Sequence, residues 1–216
     1  MLPLDGPTRS ARSGTTRSVV VLLHGYGADG HDLIGLADAW RDALPDTLFL
    51  APDAPGRIAD MLGGRQWFAL ARRDGREYQD GVRGARPLLD RYLDAVLAST
   101  RLTAERLALF GFSQGAMMAL HVGLRRAVAP AAILAYSGLL AGPEHLAAEI
   151  TCRPPVLLVH GEEDDIIPVQ ALGESEACLA DAKVPVWAHS IPDIGHGICP
   201  EGLDLGARFL RQTLAG

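Results

Sequence analysis

The stretch Leu107-Ala108-Leu109-Phe110-Gly111-Phe112-Ser113-Gln114-Gly115-Ala116-Met117-Met118 decides the fold. Its first six residues are almost wholly apolar, as in a strand covered on both faces, and the residues that follow read as a helix. At the junction lies Gly111-Phe112-Ser113-Gln114-Gly115, a serine on a sharp strand-to-helix turn. Such a turn lifts the serine hydroxyl above the edge of a sheet. Bulky side chains two residues either side would collide within it, so Gly111 and Gly115 keep the space open. The helix that starts there also aims its N-terminal N–H groups and positive dipole end at the same spot, favouring a developing oxyanion. A bare G-x-S-x-G is weak evidence, and the bland alternative is a serine that only caps a helix. The strand before it and the helix after it favour a nucleophile.

Working outward, similar apolar runs occur at 18–23, 47–50, 131–136, 156–160 and 186–191. Helical periodicity falls at 32–44, 87–97, 114–125, 169–182 and 203–214. Strands that alternate with helices in this way predict a single α/β domain, a mostly parallel sheet with helices on both faces and right-handed crossovers. The domain is expected over 18–216, after a polar N-terminal segment at 1–17. There is no internal repeat. Residues 52 to about 84 break the rhythm, with Gly, Pro, Arg and Asp throughout and Trp67-Phe68 in the middle. An irregular connection this long is usually functional or disordered, and the embedded aromatics favour function.

Composition narrows the partners. The 216 residues are 48% apolar and 21% charged, which excludes disorder and fibrous repeats. Twenty basic against 26 acidic residues leave a net charge of −6, without the positive footprint of a nucleic-acid surface. Three cysteines, Cys152, Cys178 and Cys199, are too few and too irregular for a disulfide framework or a zinc site. No apolar run approaches the ~20 residues of a membrane span, so no stable membrane insertion is expected. The 1–18 region lacks a signal-peptide core, and a cytoplasmic location is expected.

A serine hydroxyl needs a neighbouring base, and imidazole titrates in the right range. Of seven histidines, His121 and His145 sit in helical segments, His189 lies within a strand, and His160 ends one. His24 and His31 precede the serine, the wrong side for the chain order Ser, acid, His. His196 lies in Ile194-Gly195-His196-Gly197, where glycines let a loop carry the ring over the sheet edge, and it is the expected base. The acid should follow the 156–160 strand, where Glu162, Glu163, Asp164 and Asp165 are consecutive. Position alone leaves all four open. Its role would be to hold the imidazole tautomer. Reading His24, Asp29 and His31 as metal ligands finds no typical ligand spacing, and neither metal nor organic cofactor is expected.

Leu23-His24-Gly25-Tyr26-Gly27, Pro52-Asp53-Ala54-Pro55, Trp67-Phe68, the Ser113 turn, His160-Gly161 with Ile167-Pro168, and Gly195-His196 together resemble the phospholipase/carboxylesterase family. That family holds acyl-protein thioesterases and small bacterial carboxylesterases of the α/β-hydrolase fold. The resemblance spans 19–214, with motifs in the family's order. Its His-Gly-x-x-Asp-x-x-(Val/Ile)-Pro pattern falls on His160 to Pro168, which makes Asp164 the implied acid with Asp165 as the substitute. It also implies an oxyanion hole from the backbone N–H groups of Tyr26 and Gln114.

The expected activity is a serine carboxylesterase acting through an acyl-enzyme on Ser113. The alternatives are an acyl-thioesterase or lysophospholipase of the same family, and a non-catalytic binding protein of this fold. No helical lid is predicted. Met61, Leu62, Trp67 and Phe68 of the irregular stretch are expected to line a shallow substrate groove that favours short- to medium-chain esters. Exposed apolar residues there could also support a homodimer.

Overall fold

The computed structural model describes residues 2–59 and 61–214. In chain order its elements are β1 (Thr8–Arg9), β2 (Ser18–Leu23), α1 (Gly30–Ile34), α2 (Leu36–Trp40), β3 (Thr47–Leu50), β4 (Gly56–Arg57), β5 (Arg65–Gln66), α3 (Gly75–Thr100), β6 (Leu107–Phe112), α4 (Gln114–Gly123), β7 (Ala132–Tyr136), α5 (Leu146–Glu149), β8 (Val156–Gly161), α6 (Gln170–Asp181), β9 (Val186–Ile191) and α7 (Pro200–Leu214). Seven strands form one sheet in the order β1-β3-β2-β6-β7-β8-β9, and β4 and β5 form a separate two-stranded sheet. Every neighbouring pair in the large sheet is parallel except β1 with β3.

The apolar strands are continuous because alternate side chains feed two cores. Val19, Val21 and Leu23 of β2, with Leu107 and Leu109 of β6, pack under α3, α4 and α6. Val20 and Leu22, with Ala108 and Phe110, face the opposite core with Trp40, Phe209 and Leu210 from α2 and α7. The Phe110 ring lies 4.8 Å from that of Tyr136 and 5.4 Å from that of Trp40, within the range of favourable aromatic pairs.

Four local readings need correcting. The 1–17 segment is not merely a polar leader to the domain: Thr8 and Arg9 pair with Leu50 and Phe49 as a short edge strand. The helix expected at 32–44 is split at Gly35 into α1 and α2. The helix expected from Pro87 begins twelve residues earlier, at Gly75, with Asp74 capping the N–H of Glu77 at 2.8 Å. The irregular stretch therefore ends at Asp74 rather than near 84, and it contains the β4–β5 hairpin.

Parallel strands put their carboxyl ends on one edge. The register pairs Leu23 with Gly111, Phe112 with Tyr136, and Gly161 with Ile191, so the loops that leave β2, β6, β8 and β9 emerge side by side.

Candidate active site

At the end of β6, Ser113 has φ 55° and ψ −116°, a conformation that non-glycine residues rarely hold. Such a residue stores about 1–3 kcal/mol of strain. Its N–H is anchored to Tyr136 O at 2.9 Å. The flanking glycines are required by contact: a Cβ on Gly111 would stand 2.2 Å from Gly115 O, and one on Gly115 would stand 1.9 Å from Leu23 O. The elbow is thus pressed against the end of β2. One residue on, a Cβ on Gly25 would lie 3.3 Å from Ser113 Cβ, so the loop carrying Tyr26 passes directly beside the serine. Among the described residues no acceptor takes the N–H of Tyr26 or of Gln114.

His24 braces that loop. Fully buried, it holds Gly25 O at 2.8 Å through Nδ1 and accepts the Ala54 N–H at 3.0 Å on Nε2. These partners fix a neutral Nδ1–H imidazole. Burial pushes its pKa down, against the opposing pull of the Gly25 carbonyl and of Asp53, Asp29 and Asp32. Trp67 adds a second brace, donating its indole N–H to His24 O at 2.9 Å.

On the other side of the elbow, the loops after β8 and β9 are stitched together. Glu162 N donates to Ile191 O and Glu163 N to Ile194 O, each at 2.9 Å. Gly161 packs so tightly that a Cβ there would meet Ile194 O at 2.2 Å. Asp164 is thereby brought to His196, with Oδ2 2.8 Å from Nδ1. Its other oxygen accepts the N–H groups of Ile166 at 3.0 Å and Ile167 at 2.8 Å. Burial raises the Asp164 pKa, but the bonds from Ile167, His196 and Ile166 outweigh it and hold the group below the usual carboxylate range. Of the four consecutive carboxylates only Asp164 is buried. The His196 ring lies 5.0 Å from that of Phe112, the residue before Ser113. With Nδ1 engaged by Asp164, the second ring nitrogen is left to accept a proton.

The four residues expected to line a substrate groove divide. Met61 is 45% exposed and Leu62 fully exposed, near the tip of the β4–β5 hairpin, and the Met61 sulfur packs on Gly27. Trp67 and Phe68 are instead buried in the core. They are tied to the elbow by the Gln114 side chain, whose Oε1 accepts the Trp67 N–H and whose Nε2 donates to Phe68 O, each at 2.8 Å. A cavity of about 630 Å³ lies between the start of α3, the 139–145 loop and α6, lined by Tyr78, Gln79, Leu139, Leu140 and Ser175 among others, and by none of the four. Leu139 follows Gly138, which packs against Ser113 O and Ala116.

Sequence reasoning missed the Gln114 side chain, because the elbow motif specifies nothing about that position except its backbone. It also missed Glu77, which gathers the N–H groups of Ala71, Arg72 and Arg73 at 2.7–2.9 Å and sets the Arg73 guanidinium 5.9 Å from the centre of the Tyr26 ring. Asp29, His31 and Asp53 bring ligand atoms within 4.8 Å of one another, which Asp53's distance in sequence hides. Their carboxylates serve the fold: Asp29 caps His31 N, and Asp53 holds Gly30 N and Arg65.

The profile of the phospholipase/carboxylesterase family matches residues 9–214. The chain belongs to that family. Family membership makes it a hydrolase of the esterase and thioesterase class, on a single α/β-hydrolase domain. Over 98% of its length it is 29% identical to an acyl-protein thioesterase 1 of Gibberella zeae, covering 95% of that protein. The crystal structure of esterase PE8 superposes with a TM-score of 0.94 at 45% identity, over 98% of this chain and 99% of that one. The acyl-protein thioesterase 2 of Zea mays, at 24% identity, shares the fold with a TM-score of 0.74 over 97% of this chain and all of its own. Among the described residues no helix of this family member is long and apolar enough to cross a membrane.

Proposed function

We propose that this phospholipase/carboxylesterase-family protein is a serine carboxylesterase that hydrolyses short- to medium-chain esters through an acyl-enzyme on Ser113. In this reading Ser113 Oγ attacks the ester carbonyl carbon while His196 Nε2 takes the hydroxyl proton. The carbonyl π electrons move to oxygen, and the N–H groups of Tyr26 and Gln114 receive the charge. Collapse breaks the bond to the leaving alcohol, which takes its proton from His196. Water, deprotonated by the same imidazole, then repeats the attack on the acyl-enzyme and releases the acid. Asp164 stays ionised and stabilises the imidazolium.

The observation that carries the reading is the strained Ser113 elbow in one site with a half-buried His196 bonded to the buried Asp164. An acid held ionised at 0% side-chain exposure is expensive unless its partner's charge is needed. Ester rather than thioester cleavage is favoured by the 45% identity to a protein called an esterase. The second reading, an acyl-thioester hydrolase, draws on the thioesterase relative.

Ser113→Ala should abolish turnover of a chromogenic butyrate ester and labelling by an organophosphonate while the fold survives, with a rate loss of several powers of ten. Labelling that persists in the variant would sink the nucleophile. Matched oxygen and sulfur esters of one acid separate the two readings: kcat/KM should be greater for the oxygen ester once the uncatalysed rates are divided out.

A further inference from the structure

One buried imidazole outside the proposed triad touches it. His160 lies in β8 and is 1% exposed. Its Nε2 is 2.8 Å from Ile167 O and 3.2 Å from Asp164 Oδ2. A carbonyl can only accept, so Nε2 carries the proton and gives it to Ile167 O, while the same nitrogen stands 3.2 Å from the carboxylate oxygen that holds His196. Asp164 Oδ2 therefore sits between two imidazole nitrogens, while Oδ1 takes two backbone N–H groups. At 0% side-chain exposure, no solvent can replace a donor that is lost.

We propose that His160 is a positioning residue, whose ring, anchored on Ile167 O, sets Nε2 against Asp164 Oδ2 and so fixes the plane of that carboxylate and, through it, the tautomer and orientation of His196. The inference rests on reading Ser113, His196 and Asp164 as a triad. The simpler role for His160 is to close the 160–167 turn through Ile167 O alone. That role requires the turn bond and would alter stability, but it gives no reason for an effect that passes through the carboxylate.

The two roles part in a double-mutant cycle. With a p-nitrophenyl butyrate substrate, His160→Leu should lower kcat about 10- to 100-fold and change KM less than about twofold, the range for loss of a group that orients a reacting one. His160→Gln, which restores an N–H donor, should recover most of kcat. In an Asp164→Asn background, His160→Leu should cost less than about twofold more. An additive cycle, with Asp164→Asn itself impaired, overturns the inference and leaves the triad standing. An Asp164→Asn protein of full activity removes the triad and the inference together. If His160→Leu does not fold, His160→Phe, which keeps the ring shape, takes its place in the cycle with the same expected non-additivity, and an Nδ1–H tautomer of His160 in the ¹⁵N spectrum of the unaltered protein also overturns the proposal.

Discussion

Burial separates Asp164 from the carboxylates around it. Glu162, Glu163 and Asp165 are exposed, whereas Asp164 is enclosed and bound by Ile166, Ile167 and His196. On the proposed mechanism Asp164→Asn should lower kcat by about 10⁴ with little change in KM. Asp165→Asn, altering a solvated group, should change kcat by less than threefold on the same scale, about 0.6 kcal/mol. Steady-state kinetics of the two variants gives the ranking, and the reverse order would move the acid by one residue. The glycines offer a stability test at the same scale. A Cβ at Gly115 meets backbone carbonyls of both Leu23 and His24, so Gly115→Ala should cost at least the ~1–3 kcal/mol of overpacking. Gly84, inside α3 with nothing within 4 Å, is the control: Gly84→Ala should stabilise by about 0.5–1 kcal/mol. Melting temperatures of the pair should move in opposite directions. The strained Ser113 turn was legible because the proposed nucleophile's chemistry needs a fixed local pattern. The carboxylate that meets His196 was not, because which of four adjacent carboxylates is buried depends on how two distant loops pack.

Five of the six long strands were legible at the level of elements because burial on both faces writes itself as an apolar run, and the edge strand β9, mostly exposed, was legible from its β-branched and aromatic residues. What escaped was made by contacts that local pattern does not encode. β1 is two polar residues joined to β3 by backbone alone, and β4–β5 is a hairpin of equal brevity. The start of α3 was hidden by Pro87 and by a first half whose buried positions include Gln79 and Val82, among mostly polar neighbours. The aromatics of the irregular segment are a related case: they look available for ligand, yet Trp67 is buried as a strut between the β2 loop and the elbow. Trp67→Ala should therefore cost about 3–5 kcal/mol of stability, as other large core truncations do. The relative kcat/KM across acetate to dodecanoate esters should stay unchanged. Leu139→Trp, at the wall of the 630 Å³ cavity next to the elbow, should instead depress the longer esters selectively. Each buried acyl CH₂ is worth about 0.8 kcal/mol, so blocking three would lower their preference by roughly 60-fold. A chain-length profile that changes with Trp67 and not with Leu139 would return the acyl chain to the hairpin groove.

For the molecule as a whole, acid stability follows from histidines buried without charge. His121, in α4, is 1% exposed, and neither ring nitrogen has a partner among the described residues. Desolvation, followed by Arg125, Arg86 and Arg83, pushes its pKa down to about 3, and Glu149 opposes them only in part. Those groups are themselves linked, since Glu149 binds both Arg83 and Arg125 and so ties α3 and the turn after α4 to α5. The unfolded chain takes up a proton at this histidine near pH 6.5, whereas the folded one holds out to about 3. The stability His121 contributes by staying neutral is thus complete above pH 6.5 and falls between 6.5 and 3, at up to about 1.4 kcal/mol per pH unit. His24, with a pKa lowered by burial, adds a loss of the same sign. Asp164 acts in a lower window: the stability from its depressed pKa is complete above the ordinary carboxylate range and is lost only as pH falls through the folded value. The decline from pH 6.5 to 4.5 should therefore belong to the histidines. His121→Leu removes the titrating group and two unpartnered polar atoms while keeping apolar bulk under α3. Chemical denaturation at pH 7.5, 6.0 and 4.5 should show a shallower fall for the variant, and stability at pH 7.5 equal to or above that of the parent. Equal slopes in the two proteins would mean that the imidazole finds a proton-stabilising partner in the fold, and that the acid sensitivity lies elsewhere.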